Sequence, residues 1–245
     1  MVEDFYRQGK QYDAQHRHLT ADVEFYRDVA KDHGGPILEL ACGTGRVMAP
    51  LANDGHDVTG IDIVESMLSV AQSKLTDAAQ LVQSDIRYFN LEKKFRLIIL
   101  AFNSIGHLYQ RSDVESCFAR VKKHLADDGL FVLSVFNPDL GLLMRDKGDY
   151  EEMSRYQDPD SGREVVVTEA ASYDRASQII TSNWLYSIED EKFTNQLRLR
   201  IFFPQELDAL LHYAGLKIRK KFGNFDRSAF SSSSPQQIVL AEAVR

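Results

Sequence analysis

The sequence predicts an α/β fold: a seven-stranded, mostly parallel sheet with helices on both faces, plus an antiparallel β-meander inserted after the fifth strand. Three observations carry this. Short apolar runs alternate with helix-period segments from Ile37 to Phe136, as a βαβ series requires. The run Leu97 to Phe102 is apolar without interruption, which fits a strand covered on both faces. After Arg163 the period changes to two, the mark of antiparallel strands. The chain divides accordingly into residues 1–137 (N-terminal segment and main core), 138–203 (the meander as a cap) and 204–245 (a last helix and two strands completing the core).

The N-terminal stretch is polar, with Phe5, Tyr6 and Tyr12. A helix follows from about Thr20 to Lys31, where Val23, Tyr26 and Ala30 recur at helical spacing and Gly34-Gly35-Pro36 stops it. The first strand, Ile37 to Leu40, carries Glu39 and empties into Ala41-Cys42-Gly43-Thr44-Gly45. A glycine turn there lets the backbone pass close under a ligand while free helix N–H groups point at it, so a nucleoside-bearing cofactor is expected. A helix over Arg46 to Asn53 leads to a second strand, His56 to Asp62, whose terminal carboxylate suits two ribose hydroxyls or, alternatively, a helix N-cap.

Val64 to Leu75 reads as a helix, and a third strand near Gln80 to Gln83 ends in Ser84-Asp85-Ile86. The fourth strand ends in Asn103-Ser104-Ile105-Gly106-His107-Leu108. In a doubly wound sheet the carboxyl ends of central strands form the ligand crevice, which makes this loop the candidate reaction site. Ser112-Asp113-Val114-Glu115 reads as a capping box, and Asp127-Asp128-Gly129 as a turn into the fifth strand, Leu130 to Phe136.

Pro138 to Arg163 reads as a polar loop, followed by strands over about Glu164–Tyr173, Ile179–Glu189 and Phe193–Phe203 with turns at Asp174-Arg175-Ala176 and Asp190-Glu191-Lys192. On the middle strand Ile180, Ser182, Trp184, Tyr186 and Ile188 share a face; on the third, Arg198 and Arg200 oppose Leu197, Leu199 and Ile201. The insert is too polar for a core of its own. It is expected to cap the crevice and supply substrate contacts, or to form a homodimer surface. Pro204 opens a helix closed by Gly215, and Leu216–Phe222 and Gln237–Ala241 are the last strands.

A chain of 245 residues with 44% hydrophobic content can fill such a core. Its net charge of -7 argues against a nucleic-acid partner that needs a broad basic face, and the cluster Lys217, Arg219, Lys220, Lys221 reads as a solvated strand edge. No run approaches the roughly 20 apolar residues of a membrane span, and no apolar signal segment is visible, so a cytoplasmic protein without a membrane partner is expected. Cys42 and Cys117 read as reduced packing residues, and no spaced His/Cys set suggests a metal.

Counted from Gly43, the turn gives Gly43, Gly45 and then Met48, which breaks the dinucleotide spacing G-x-G-x-x-G. Glu39 followed by A-C-G-T-G instead resembles motif I of the class I S-adenosylmethionine-dependent methyltransferases, and the whole strand order, meander included, is similar to their Rossmann-like fold. The resemblance implies S-adenosyl-L-methionine as cofactor and S-adenosyl-L-homocysteine as product. It implies cofactor contacts from Tyr12, Glu39, Ala41, Gly43, Gly45, Asp62, Ile63, Met67, Ser84, Asp85, Ile86 and Phe102, with Met67 and Ile86 beside the adenine and Asp85 on its amino group.

More narrowly, FNSIGHL with the inserted meander resembles the small-molecule N-methyltransferases acting on amino sugars and glycine, and implies a small amine acceptor. His107 and Asn103 are then the catalytic candidates, and Ser104, Tyr109, Trp184, Tyr186 and Arg198 the acceptor contacts. His107 either receives the substrate proton, fixes the acceptor by hydrogen bonding, or is tied to backbone in its loop. O-methyl transfer to a small hydroxylated molecule, RNA methylation and a non-catalytic S-adenosylmethionine-binding module are the alternatives.

Overall fold

The apolar run of the fourth strand serves two cores at once, because successive side chains of a strand point to opposite faces. In the computed structural model, which describes residues 9–75, 79–144 and 150–244, Leu97 and Ile99 join one buried cluster and Ile98 and Leu100 the other. Phe5 and Tyr6 lie outside the described residues.

The strands are β1 (Ile37–Leu40), β2 (Val58–Asp62), β3 (Ala79–Gln83), β4 (Phe95–Leu100), β5 (Leu125–Phe136), then β6 (Glu151–Gln157), β7 (Glu164–Asp174), β8 (Ile179–Ile188) and β9 (Glu191–Arg200), and finally β10 (Leu216–Phe222) and β11 (Gln236–Ala243). Helices α1 (Gly9–His16), α2 (Ala21–His33), α3 (Met48–Asn53), α4 (Glu65–Gln72), α5 (Arg111–His124), α6 (Leu140–Leu143) and α7 (Pro204–Tyr213) fall between them. Seven strands form one sheet in the order β10-β11-β5-β4-β1-β2-β3, parallel except at β11. Phe118 of α5 and Leu207 of α7 pack on one face; Phe25 of α2 and Leu51 of α3 pack on the other. β1 pairs with both β2 and β4, so the winding reverses beside β1 and opens a crevice at the carboxyl ends of β1 and β4.

The insert is a four-stranded antiparallel sheet, β6-β7-β8-β9, one strand more than the sequence pattern shows. β6 lies inside the stretch read as loop. It is an edge strand whose residues are mostly exposed, with Tyr156 its one buried side chain, so it carries no apolar alternation to read. The second turn is also tighter than expected: Glu191 and Lys192 already belong to β9. The inward face of β8 holds Ile180, Ser182, Tyr186 and Ile188 as expected, all buried. Its apolar residues pack against Tyr12 and Ala14 of α1 at one end and beside Leu143 of α6 and Phe136 of β5 at the other.

Two further local expectations are corrected. The capping box at the start of α5 is built by Gln110 and Asp113, with Ser112 already inside the helix. Asp127-Asp128-Gly129 is not a turn before the strand. Phe95 pairs with Leu125 and Leu97 with Leu130, so residues 126–129 bulge out within β5. In β10, Lys217, Arg219 and Lys220 are exposed, which agrees with a solvated edge, whereas Lys221, paired with Asp208, keeps only 13% of its side chain exposed. Among the described residues no helix is long and apolar enough to cross a membrane.

Candidate active site

The glycine turn after β1 needs left-handed backbone at Ala41 (φ 55°), Gly43 (φ 53°) and Gly45 (φ 77°). At Gly45 a Cβ would sit 3.2 Å from that of Ala71, so α4 as well as φ demands glycine there. Asp62 holds the turn from β2. Its Oδ2 accepts the Gly43 N–H and its Oδ1 the Val64 N–H, both at 2.8 Å. Burial pushes this carboxyl up while those N–H groups oppose the rise. The Ile63 N–H bonds this carboxylate too, so three of its four lone-pair sites are engaged and one is left for a ribose hydroxyl.

The turn floors a cleft of about 330 Å³ lined by Tyr12, Glu39, Ala41, Arg46, Phe102 and Ser104, among others. Glu39 is buried beneath it and accepts the Met48 N–H, but its Oε2 has no partner. Burial, opposed by Arg46, raises this carboxyl to about 8. An orphaned carboxylate oxygen under a glycine turn fits a ligand that ends in an ammonium group, as the methionine moiety of the expected cofactor does.

Arg46, which the sequence reading passed over, forms a bidentate pair with Asp22 at 2.8 and 2.5 Å, donates to the Leu19 carbonyl at 3.0 Å, and stands 4.8 Å over the Phe102 ring. Its position directly after Gly45 was the available clue. α1 roofs the turn: Asp13 contacts both Thr44 and Lys74, Tyr156 donates to Gln11 at 2.9 Å, and Gln11 donates to Asp158. The helix is thereby fastened both to the glycine turn and to the insert. Tyr12, His16 and Phe102 line up as a series of rings, 4.3 and then 5.4 Å apart.

At the end of β4, Phe102 (φ 51°) and Asn103 (φ 62°) are successive left-handed residues without glycine. Such strain persists only where neighbours over-determine it. Here Ser134 of β5 does so. Its Oγ accepts from the Phe102 N–H (3.1 Å) and from the Tyr26 hydroxyl (2.8 Å), and its carbonyl accepts the Asn103 N–H (3.2 Å). Asn103 Oδ1 accepts the Phe136 N–H at 2.7 Å, and neither Asn103 nor His107 is among the residues that line the cleft. His107 follows in a single 3-10 turn, Ser104–His107, half-buried, and burial lowers it to about 4. Against this turn packs β9, so close that a Cβ on Gly106 would meet the Leu199 side chain at 3.0 Å.

The other expected residues separate into groups. Ser104 lines the cleft, whereas Tyr109, Trp184, Tyr186 and Arg198 do not. Tyr109 donates to the Arg198 carbonyl at 3.1 Å and lies 5.4 Å under its guanidinium, so the two fasten the reaction loop to β9. Tyr186 stacks on Phe193 at 4.7 Å and gives its hydroxyl to Gln15 at 3.3 Å. Trp184 donates to Glu169 at 2.8 Å. Of the residues expected beside the adenine, Met67 is buried and Ile63 is 48% exposed, the Ser84 N–H bonds the Asp62 carbonyl, and Ile86 packs on the core. Asp85 is gripped by Arg87, which also reaches Asp113; burial raises the Asp85 carboxyl, and Arg87 more than offsets it, leaving it below the usual range. An adenine amino group would share this carboxylate with Arg87.

A family model described as a methyltransferase domain matches residues 37–129, from β1 to the bulge in β5. A putative methyltransferase, YqeM, of Bacillus subtilis (strain 168) is 27% identical over 85% of this chain and 84% of its own length. The dTDP-3-amino-3,6-dideoxy-alpha-D-glucopyranose N,N-dimethyltransferase of Streptomyces fradiae is 31% identical, over 51% of this chain and about half (47%) of that enzyme. Among solved structures, the CcbJ methyltransferase from Streptomyces caelestis superposes with a TM-score of 0.79 at 25% identity, over 92% of this chain and 90% of that one. With the glycine turn, its acidic partners and the strand order in place, the chain is an S-adenosylmethionine-dependent methyltransferase of Rossmann-like fold.

Proposed function

We propose that the chain methylates an amine nitrogen of a small-molecule acceptor, with the crevice between the glycine turn and the β4 exit as the active site. The observation that carries this reading is the pair of half-buried imidazoles beside the β4 exit, His16 with its ring 5.4 Å from that of Phe102 and His107 in the 3-10 turn that follows. Burial lowers both His16 and His107 to about 4. At neutral pH they are uncharged and accept hydrogen bonds, yet they are too weak as bases to ionise a hydroxyl. A neutral amine needs no such base. The similarity to the Streptomyces fradiae N,N-dimethyltransferase supports the same acceptor class.

The cofactor supplies a methyl group already activated by its sulfonium. Asp62 and the N–H groups of the turn hold the ribose side, Glu39 and Arg46 flank the methionine end, and Tyr12 and Phe102 exclude water. Phe102 and Asn103, fixed by Ser134, set the direction from which an acceptor approaches. Alignment of this kind contributes roughly 7 to 11 kcal/mol to rate. His107 accepts a hydrogen bond from the acceptor N–H, and the Asn103 amide steadies it. Replacing His107 with Asn is expected to leave cofactor affinity within about twofold and to lower turnover by up to about tenfold, as for the loss of one hydrogen bond. Single-turnover kinetics check this, and unchanged turnover would remove His107 from the mechanism.

Glu39 adds a pH dependence. Its folded value of about 8 lies above the ordinary 4.5, so the folded state holds the proton more tightly than the unfolded chain does. Its contribution to stability is therefore full below about 4.5 and is lost as pH rises through about 8. Pairing with a cationic cofactor group reverses the preference. Cofactor binding at pH 7 is expected to release close to one proton, read by calorimetry in buffers of different ionisation heat, and the Glu39→Gln variant should release none.

The acceptor class is tested with labelled cofactor against paired small amines and hydroxyl compounds of the same skeleton. Transfer to nitrogen is expected. Label recovered on oxygen alone would overturn the reading.

A further inference from the structure

We infer that Tyr26, on α2, is a positioning residue for methyl transfer: through the Ser134 hydroxyl it holds Phe102, and with it the direction in which the reaction loop leaves β4. This rests on the crevice being the active site, and not on the nature of the acceptor.

The need arises where the sheet ends. The β4–β5 ladder closes at Leu100 and Leu133. Beyond it the backbone turns left-handed at Phe102 and Asn103, so their N–H groups leave the ladder and require other acceptors. Ser134 supplies both, the first on Oγ and the second on its carbonyl. Its place is otherwise one for an apolar side chain. Leu130 and Val132 precede it on the same face of β5, Ile238 stands opposite on β11, and all three belong to one buried cluster.

A serine hydroxyl alone is a weak fixture, because it swings about a single bond. Tyr26 removes that freedom. Its ring is fully buried between Phe25 and Phe225, and its O–H reaches Ser134 Oγ at 2.8 Å. Burial holds the phenol well above its ordinary pKa, so it stays a donor. Oγ then receives two donors, one on each lone pair, and swinging away would strand both. A phenylalanine would fill the same space among these rings. The hydroxyl is what the packing does not require.

A second observation points the same way. Asp22 lies four residues before Tyr26, on the same face of α2. It holds Arg46, whose guanidinium stands 4.8 Å over the Phe102 ring. One face of α2 therefore fixes Phe102 twice, its backbone through Tyr26 and its ring through Asp22. Phe102 and Ser104 both line the donor cleft, so a change of φ at Phe102 would shift the cleft wall and the loop after it together. Misplacement of that kind costs alignment more than binding.

The test is the Tyr26→Phe variant, read in two ways. Amide hydrogen exchange is expected to rise about tenfold at Phe102 and Asn103, as for one hydrogen bond lost, while the rest of α2 and β4 exchanges as in the parent. Steady-state transfer from labelled cofactor to a small primary amine is expected to show kcat lowered about three- to tenfold, with amine KM and cofactor affinity within about twofold. In the Ser134→Ala background the same substitution should add nothing further, because the two act as a unit. Unchanged exchange at Phe102 and Asn103 overturns the inference, and so does an unchanged kcat. Exchange that rises evenly through α2 and β4, with a lower unfolding temperature and the parent's kcat, marks a packing role and overturns it too. Should thermal unfolding show that Tyr26→Phe does not fold, Ser134→Ala removes the link through which Tyr26 acts; an unchanged kcat there overturns the inference likewise. The exchange reading needs no acceptor, so it decides the inference even where transfer to amines, and with it the amine reading, fails.

Discussion

Replacing Asp62 with Ala is expected to weaken cofactor binding by at least about 100-fold in calorimetry, among the largest losses from one substitution in the cleft. The carboxylate does two things at once. It accepts the Gly43 N–H at the centre of the turn and the Val64 N–H that starts the next helix, both at 2.8 Å, and its remaining lone pair is the one the ribose of the proposed cofactor site would take. Hydrogen bonds to a charged group contribute about 1.5–3 kcal/mol each, so losing the ribose contact together with the anchor of the turn accounts for the stated loss. The variant also strands two backbone N–H groups around a buried site, at a cost of about 1–3 kcal/mol each. A matching fall in chemical stability without cofactor is expected. Equal cofactor affinity in variant and parent would sink the ribose role.

Arg46→Met should be nearly as damaging by a different route. Asp22 keeps only 5% of its side-chain surface exposed and Arg46 14%, so the pair is largely shielded from water. Taking away one partner leaves a buried charge alone, which costs about 3–5 kcal/mol. Denaturant unfolding near pH 7 should show this loss. The Leu19 carbonyl loses its donor and the Phe102 ring its covering cation, so cofactor binding should fall as well. A variant as stable as the parent would show that Asp22 is relieved by other means.

The difference between what the sequence disclosed and what it withheld is one of range. Glu39, the glycine turn and Asp62 were readable because their meaning lies in local spacing and in strand ends. The uninterrupted apolar β4 revealed a strand covered on both faces for the same reason. β6 was missed because a polar edge strand leaves no periodic trace, and the Asp127 to Gly129 bulge because it interrupts a strand only in relation to β4. Ser112 was taken for the helix cap when Gln110 occupied it, since serine is the commoner cap and glutamine an unusual one. Ser134 and Glu169 are the clearer cases. Nothing near Ser134 in the chain hints that it steadies Phe102, and nothing near Glu169 hints at Trp184, since both meetings depend on strand register. Trp184, Tyr186 and Arg198 were named for their residue types; the structure gives each a partner within the insert or on its flank.

The pairing of β1 with β4 bears on how such an enzyme can diversify. Leu40 and Leu100 are register partners, so the donor turn and the acceptor loop leave the sheet at the same level, one strand apart. That separation, about 4.8 Å in any sheet, is set by a ladder of backbone hydrogen bonds between two strands that are buried but for Arg96. It works as a ruler that side-chain substitutions barely move. The insert stands outside this ladder, so changes among its residues leave the spacing between the two strand ends fixed.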